Sequence, residues 1–128
     1  MLMLSDEVFC EHFSHDNEAA LLVIQPKKTN GNLYNWLQAY TSVIEEQLLQ
    51  YGAILFRNFE VSSIDIFEKI SSLIAPNLCD YTNRSTPRTH LGGKIYSSTE
   101  YPSNFFIPLH NECSYSHEWP QKILFFAA

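Results

Sequence analysis

The feature that most constrains the fold is a long amphipathic segment that leads directly into a short apolar one. Apolar side chains recur at helical spacing from Leu33 to Tyr51, Asn32 stands where a helix cap is expected, and Gly52 suits a left-handed helix end. Residues 53–56 (AILF) follow at once and form the apolar run that is typical of a buried strand. A helix that leads into a buried strand predicts an α+β fold with a sheet at its core.

Neighbouring segments supply further predicted elements. The apolar run at 20–24 ends at Pro26 and predicts a strand, with a short helix as the alternative. Residues 62–65 have the sequence of a capped helix start, and an apolar stripe follows at 66–74. This pattern predicts a second helix, which Pro76 ends.

The second half of the chain has a different composition. Residues 80–108 are rich in Thr, Ser, Asn, Pro and Gly, with the pair Gly92-Gly93 among them, and they predict long loops around short strands. Residues 107–115 and 122–126 return to strand-like sequence. We therefore expect helices to dominate the first half and strands with loops to dominate the second.

Composition and charge exclude several classes of function. The 128 residues are 45% hydrophobic and 17% charged, a balance that supports a packed core in one domain or a piece of one. The net charge of −6 predicts no binding to nucleic acid or to an anionic membrane surface. No apolar run approaches the roughly 20 residues of a membrane-spanning helix, and the acidic start does not resemble a secretory signal. We expect a cytoplasmic protein whose cysteines (Cys10, Cys79 and Cys113) stay reduced.

His110 and Glu112 form the candidate metal site. Residues two apart on a strand project from the same face, so an imidazole and a carboxylate at this spacing can reach one ion together. Such a pair supplies two of the three ligands in the facial triad that holds non-haem Fe(II). The alternative for so short a pattern is a surface histidine beside a solvated glutamate.

A series of motifs around this pair strengthens the metal-site hypothesis. The motifs are YGAILFRNF (51–59), NRSTPR (83–88), IYSSTEYP (95–102), IPLHNECSY (107–115), WP (119–120) and ILFF (123–126). In this order they resemble the TauD/TfdA family of Fe(II)- and 2-oxoglutarate-dependent dioxygenases, and within it the clavaminate synthase-like branch. The resemblance covers about residues 33–128. It implies one partial domain, 1–128, holding the truncated N-terminal part of a double-stranded β-helix, or jelly roll, with flanking helices.

The resemblance implies that His110 is the proximal imidazole ligand of Fe(II). It makes Glu112 the carboxylate ligand, at a position where many relatives carry Asp. Related halogenases have a small residue there, which leaves a coordination position open for chloride. Because Glu112 fills that position, the resemblance implies a hydroxylase or desaturase.

Other residues receive substrate-binding roles from the same resemblance. Ser98, Thr99 and Glu100 would lie on a loop near the iron, where they shape the substrate pocket or support the ligands, with loop capping as the alternative. Arg88, like Arg84, would bind an anionic group of the substrate, with a structural ion pair as the alternative.

The family pattern extends further than this sequence. After the position of Phe126, relatives carry the rest of the double-stranded β-helix, the distal histidine ligand and the arginine that grips 2-oxoglutarate. The other histidines do not fall at the distal position, and the nearest to the site in sequence, His117, would need an unfamiliar geometry. We therefore expect the isolated chain to be inactive. We also expect poor solubility or self-association, because a strand at 123–126 would lack its partner strands.

The implied function is hydroxylation of an unactivated C–H bond in a small or carrier-tethered amino acid. One oxygen atom of O₂ would enter succinate, formed with CO₂ from the cosubstrate 2-oxoglutarate, and the other would enter the substrate. The cofactor carries the difficult chemistry and the protein positions the substrate carbon. The alternative is a catalytically inactive remnant, or one half of a split protein, that acts as a binding or interaction module.

Overall fold

The computed structural model describes residues 4–15, 18–80, 88–98, 102 and 104–127. The chain divides into two compact units, Met1–Ser62 and Ser63–Ala128. In chain order the elements are β1 (Val8–His15), β2 (Glu18–Pro26), α1 (Leu33–Tyr51), β3 (Ile54–Phe56), α2 (Ile64–Ile74), β4 (His90–Gly92) and β5 (Ile95–Tyr96). The two helices and two small sheets found among these described residues confirm the predicted α+β class, while the double-stranded β-helix stays a prediction.

The first unit is organised around β2, the central strand of a sheet in the order β1-β2-β3. β1 and β2 pair antiparallel, whereas β2 and β3 pair parallel with Leu22 opposite Ile54. Parallel neighbours need a crossover connection, and α1 provides it. Leu22, Val23 and Ile24 are all buried although successive strand residues face opposite sides, so both faces of β2 are covered.

The predicted caps of α1 are confirmed. The Asn32 side chain accepts a hydrogen bond from the Asn35 N–H at 2.9 Å, which satisfies one of the free donors in the first turn. At the other end Gly52 has φ 73°, and its N–H donates to the Leu48 carbonyl at 2.9 Å. A left-handed residue at this position ends the helix and turns the chain into β3.

An aromatic cluster joins α1 to the chain around β3. The Trp36 ring stacks on Tyr40 at 4.9 Å, and its centroid lies 6.4 Å from that of Phe56 and 6.2 Å from that of Phe59. The indole N–H donates to Ser5 Oγ at 3.1 Å, so the polar end of the buried tryptophan also has a partner.

Two expectations for the first unit were wrong. The first half of the chain is not mainly helical, because β1 and β2 form a long hairpin within it. Among the β1 residues whose burial the structure describes, Val8 and Cys10 are buried and alternate with exposed neighbours, which is too short a pattern to predict a strand. The strand at residues 54–56 exists, but it is not fully buried, because β3 lies at the sheet edge and exposes Leu55.

The second unit contains α2 and the β4–β5 hairpin. Ser63 caps α2 by accepting from the Ile66 N–H at 3.3 Å, and the helix ends two residues before Pro76, as predicted. Within the hairpin turn Gly93 has φ 48°, and a Cβ atom there would collide with the Glu68 carboxylate. That carboxylate accepts from the Lys94 N–H at 3.2 Å, which ties the hairpin to α2.

The strands predicted at 107–115 and 122–126 do not form. No described segment pairs with either of them, and a strand needs a hydrogen-bonded neighbour. The second segment is held by side chains instead. Lys122 Nζ donates to the Ile74 carbonyl at the end of α2 at 3.3 Å, and the Phe126 ring stacks on Phe67 at 5.3 Å.

None of the helices in the described part of the chain combines the length and the apolar character needed to cross a membrane.

Truncation of core and surface leucines in α1 tests the packing of the first unit. Leu37 is 0% exposed and Leu49 is 89% exposed. Leu37→Ala leaves a cavity and should lower the free energy of unfolding by about 2–5 kcal/mol. Leu49→Ala is the matched control, with an expected change within about 0.5 kcal/mol. Urea unfolding followed by circular dichroism gives both values, and equal effects would contradict the assigned packing.

Thiol labelling tests the burial of β1. Burial raises the pKa of the Cys10 thiol, so less of the reactive thiolate is present at a given pH. Iodoacetamide should therefore modify Cys10 more slowly than the exposed Cys79, and the Cys10 rate should keep rising into more alkaline solution. Peptide mapping by mass spectrometry measures each rate. Labelling of Cys10 as fast as Cys79 in the native protein would show that β1 is not packed as described.

Candidate functional site

The candidate ligands His110 and Glu112 lie on an irregular segment, so the strand expected to align them is absent. Glu112 begins a turn in which Cys113 has φ 54° and its carbonyl accepts from the Ser116 N–H at 2.9 Å. The two side chains nevertheless converge, with His110 Nε2 3.9 Å from Glu112 Oε2. The turn therefore performs the alignment that the sequence analysis assigned to a strand.

A backbone carbonyl two residues earlier in the chain fixes the tautomer of the His110 ring. His110 Nδ1 lies 2.8 Å from the Pro108 carbonyl oxygen. A carbonyl only accepts hydrogen bonds, so Nδ1 carries the hydrogen, and Nε2 of the neutral ring keeps a free electron pair. Metal-binding histidines have this arrangement, in which the second ring nitrogen donates to a carbonyl or carboxylate.

The Glu112 carboxylate has two different partners. Oε1 accepts from Arg88 Nη2 at 3.1 Å, while Oε2 is the oxygen nearer to His110. The side chains of Arg88 and Glu112 are 17% and 27% exposed, so the ion pair is partly shielded from water. A charged hydrogen bond in such surroundings is stronger than a neutral one.

Arg88 is anchored by the β4–β5 hairpin. The neighbouring Thr89 N–H donates to Ser97 Oγ at 2.8 Å, and the Ser97 N–H donates back to the Thr89 carbonyl at 2.8 Å. Through the contact of Lys94 with Glu68, the same hairpin is tied to α2. The guanidinium that meets Glu112 thus extends from a supported element.

The facing atoms of His110 and Glu112 fit a metal ion. At 3.9 Å the two atoms are too far apart for a hydrogen bond. The separation is less than twice a metal–ligand bond of about 2.0–2.2 Å, but neighbouring ligands of a facial triad stand at roughly 90°, so binding of one ion would draw the two atoms closer together. Among the described residues no group of three or more His, Cys, Asp or Glu side chains could hold a metal ion. The described residues therefore offer two candidate metal ligands at this site, the His110 imidazole and the Glu112 carboxylate.

A cleft of about 600 Å³ in the second unit is bordered by Arg88 and Glu112, together with Lys94, Tyr96 and Trp119. Its volume is in the range of small-molecule sites. A hydrogen bond to Asp80 holds the pKa of Lys94 above its usual value, so Lys94 stays cationic. Asp80 and Glu118 also border the cleft, which thus combines aromatic surface with charges of both signs.

The remaining predicted site residues have different outcomes. Ser98 is exposed and follows β5 by two residues, and its substrate-binding role stays a prediction. Thr99, Glu100 and Arg84 lie outside the described residues.

The other histidines that the structure describes have separate surroundings. His90 Nε2 lies 2.8 Å from the Gly93 carbonyl within the hairpin, and the His90 ring is 5.3 Å from that of Tyr96. His117 is exposed, and His12 is exposed with its ring 6.1 Å from that of Tyr51. These contacts belong to the local packing of the hairpin and of the first unit.

Sequence reasoning did not pair Arg88 with Glu112, although it kept a structural ion pair open for Arg88. The two residues are 24 positions apart, and no periodicity connects them. The available signal was an arginine among turn-forming residues, which indicates a charge partner without identifying it.

Comparison with known proteins identifies the family. Residues 20–128 match the family described as taurine catabolism dioxygenase TauD, TfdA family. The chain is 38% identical over 84 residues to the dapdiamide synthesis protein DdaC of Enterobacter agglomerans, covering 66% of this chain and 26% of that protein. It is 31% identical over 83 residues to a clavaminate synthase-like protein of Arabidopsis thaliana, covering 65% of this chain and 25% of that protein.

The regions aligned with these two relatives span about a quarter of the length of each relative. The family match at residues 20–128 contains the segment with His110 and Glu112. Both relatives fit the clavaminate synthase-like branch that the motifs indicated. The family match extends over most of the chain, and we conclude that this protein belongs to the TauD/TfdA family of dioxygenases.

Proposed function

We propose that this chain contributes the proximal half of the iron site in an Fe(II)- and 2-oxoglutarate-dependent dioxygenase that hydroxylates a small or carrier-tethered amino-acid-like substrate. The observation that carries the proposal is the convergence of His110 Nε2 and Glu112 Oε2, with His110 Nδ1 engaged by the Pro108 carbonyl. Bound iron would supply the O₂ chemistry that couples oxidation of 2-oxoglutarate to hydroxylation of a C–H bond. The distal ligand and the arginine for 2-oxoglutarate come from the remaining part of the family domain.

His110 and Glu112 contribute different properties to this site. The neutral imidazole presents the electron pair of Nε2 in a fixed direction, because the Pro108 carbonyl holds the ring through Nδ1. The carboxylate brings the negative charge that balances a divalent cation, and its oxygen is a hard donor suited to Fe(II). Because Glu112 occupies the carboxylate position, we assign hydroxylation or desaturation rather than halogenation.

The substrate class is supported by the relatives and by the cleft. One relative is named for dapdiamide synthesis and another for its likeness to clavaminate synthase. The cleft beside Glu112 is large enough for a small molecule.

Metal titration of single variants tests the proposal. Addition of Co²⁺ to the purified chain under anaerobic conditions should shift the NMR signals of the His110 ring and of the backbone around Glu112. His110→Ala and Glu112→Ala should each weaken Co²⁺ binding at least tenfold, because each removes one of the two donors. His117→Ala is the matched control, since it removes an exposed imidazole of the same unit.

Equal Co²⁺ binding by the wild type, His110→Ala and Glu112→Ala would contradict the metal site. Within the complete family domain, Glu112→Ala should abolish hydroxylation. Hydroxylation retained by that variant, with iron still bound stoichiometrically, would mean that another carboxylate is the ligand.

A second candidate function is binding to another polypeptide, as one half of a split protein. Large apolar side chains of the second unit are exposed, namely Phe105, Phe106, Leu109, Trp119 and Phe125. Exposed apolar groups on this scale are typical of interaction surfaces or of aggregation-prone ones. The partner we propose is a polypeptide that supplies the part of the family domain outside the aligned regions, which cover about a quarter of each relative.

Light scattering tests this second candidate. Phe106 and Phe125 are 83% and 75% exposed, so the isolated chain should self-associate as its concentration rises. The double variant Phe106→Ser/Phe125→Ser should shift the distribution towards monomer. Phe13→Ser is the control, since Phe13 is an exposed phenylalanine of the first unit. A wild-type chain that stays monomeric at high concentration would count against an interaction surface here.

A further inference from the structure

Glu112 divides its two carboxylate oxygens between two partners of different kinds. Oε1 lies 3.1 Å from Arg88 Nη2, and Oε2 lies 3.9 Å from His110 Nε2. A carboxylate without such a division can present either oxygen, or both, to a metal ion. The ion pair with Arg88 therefore distinguishes two atoms that are chemically equivalent in a free glutamate.

The length of the glutamate side chain makes this division important. Glu has one more rotatable bond than Asp, and each freely rotating bond that must be fixed costs entropy. Arg88 supplies the restraint from outside the segment, because its backbone is held by the Thr89–Ser97 hydrogen bonds. Its side chain is only 17% exposed, so the guanidinium has little freedom to leave the carboxylate.

We infer that Arg88 is a positioning residue that holds Oε1 of Glu112, so that Oε2 is the one oxygen presented to a metal ion beside His110 Nε2. This inference rests on the proposed function, since it takes His110 and Glu112 as metal ligands. It assigns to Arg88 a role other than binding of an anionic substrate group. By keeping the second oxygen occupied, Arg88 leaves more of the coordination sphere open for other ligands of the ion.

Infrared spectroscopy of the Co²⁺-loaded chain tests the role of Arg88. The separation between the antisymmetric and symmetric carboxylate stretches is large when one oxygen binds a metal and small when both do. The chain is labelled with ¹³C at the glutamate side-chain carboxyl groups, and the band of Glu112 is assigned by its loss in Glu112→Gln. The wild type should show the large separation of single-oxygen binding.

Arg88→Met should narrow this separation, because Oε1 becomes free to turn to the ion. In Arg88→Lys the separation should be intermediate. An ammonium group can still hold Oε1, but through one point contact in place of the planar guanidinium. Lys94→Met is the matched control, because it removes another cation that borders the same cleft and should leave the band unchanged. A merely structural role for Arg88 predicts loss of stability without a change in this band.

A second comparison uses the length of the acidic side chain. Glu112→Asp, with the ¹³C label moved to the aspartate side-chain carboxyl groups, withdraws the carboxylate from an intact Arg88, so this single variant should also show the narrowed separation. This comparison keeps the inference testable if Arg88→Met alone fails to fold.

The possible failures are distinguishable. An unchanged separation in Arg88→Met, with Co²⁺ still bound through Glu112, overturns the positioning role alone. A Glu112 band in the wild type that does not shift when Co²⁺ is added overturns the proposed metal site and the positioning role together.

Discussion

The ion pair between Arg88 and Glu112 is the interaction on which the candidate site depends. The segment around Glu112 has no strand neighbour in the described part of the chain, so hydrogen bonds of a sheet do not hold it there. The carboxylate instead reaches a guanidinium 24 residues earlier, at the base of a hairpin that is tied to α2. A hydrogen bond between charged groups stabilises a protein by about 1.5–3 kcal/mol. Because the Arg88–Glu112 pair is partly exposed, we expect its contribution to lie near the lower value. With Glu112 held in this way, Oε2 lies opposite His110.

The elements that sequence analysis predicted correctly are those with local physical signals. α1 has an apolar stripe, an asparagine cap and a glycine end, and each of these acts within a few residues of its own position. The same is true of α2, which Ser63 starts and Pro76 limits. β2 was predicted from its uninterrupted apolar run, and its burial on both faces explains why the run has no polar interruption.

The elements that were predicted wrongly depend on distant partners. Residues 107–115 and 122–126 have the composition of strands, but composition does not provide a neighbouring strand. β1 was missed for the opposite reason, since its pairing with β2 makes a strand from a sequence with a weak pattern. At the site, the sequence identified His110 and Glu112 through their spacing and their resemblance to a family, while the contact with Arg88 arises only after the chain folds.

The central claim is that His110 and Glu112 bind one metal ion together. Anomalous X-ray scattering at the iron absorption edge, from crystals of the chain soaked anaerobically with Fe²⁺, tests this claim most directly. The account predicts an anomalous peak within bonding distance of both His110 Nε2 and Glu112 Oε2, with Oε1 still on Arg88. A peak at other residues, or no peak at these two side chains when Fe²⁺ is in excess, would contradict it.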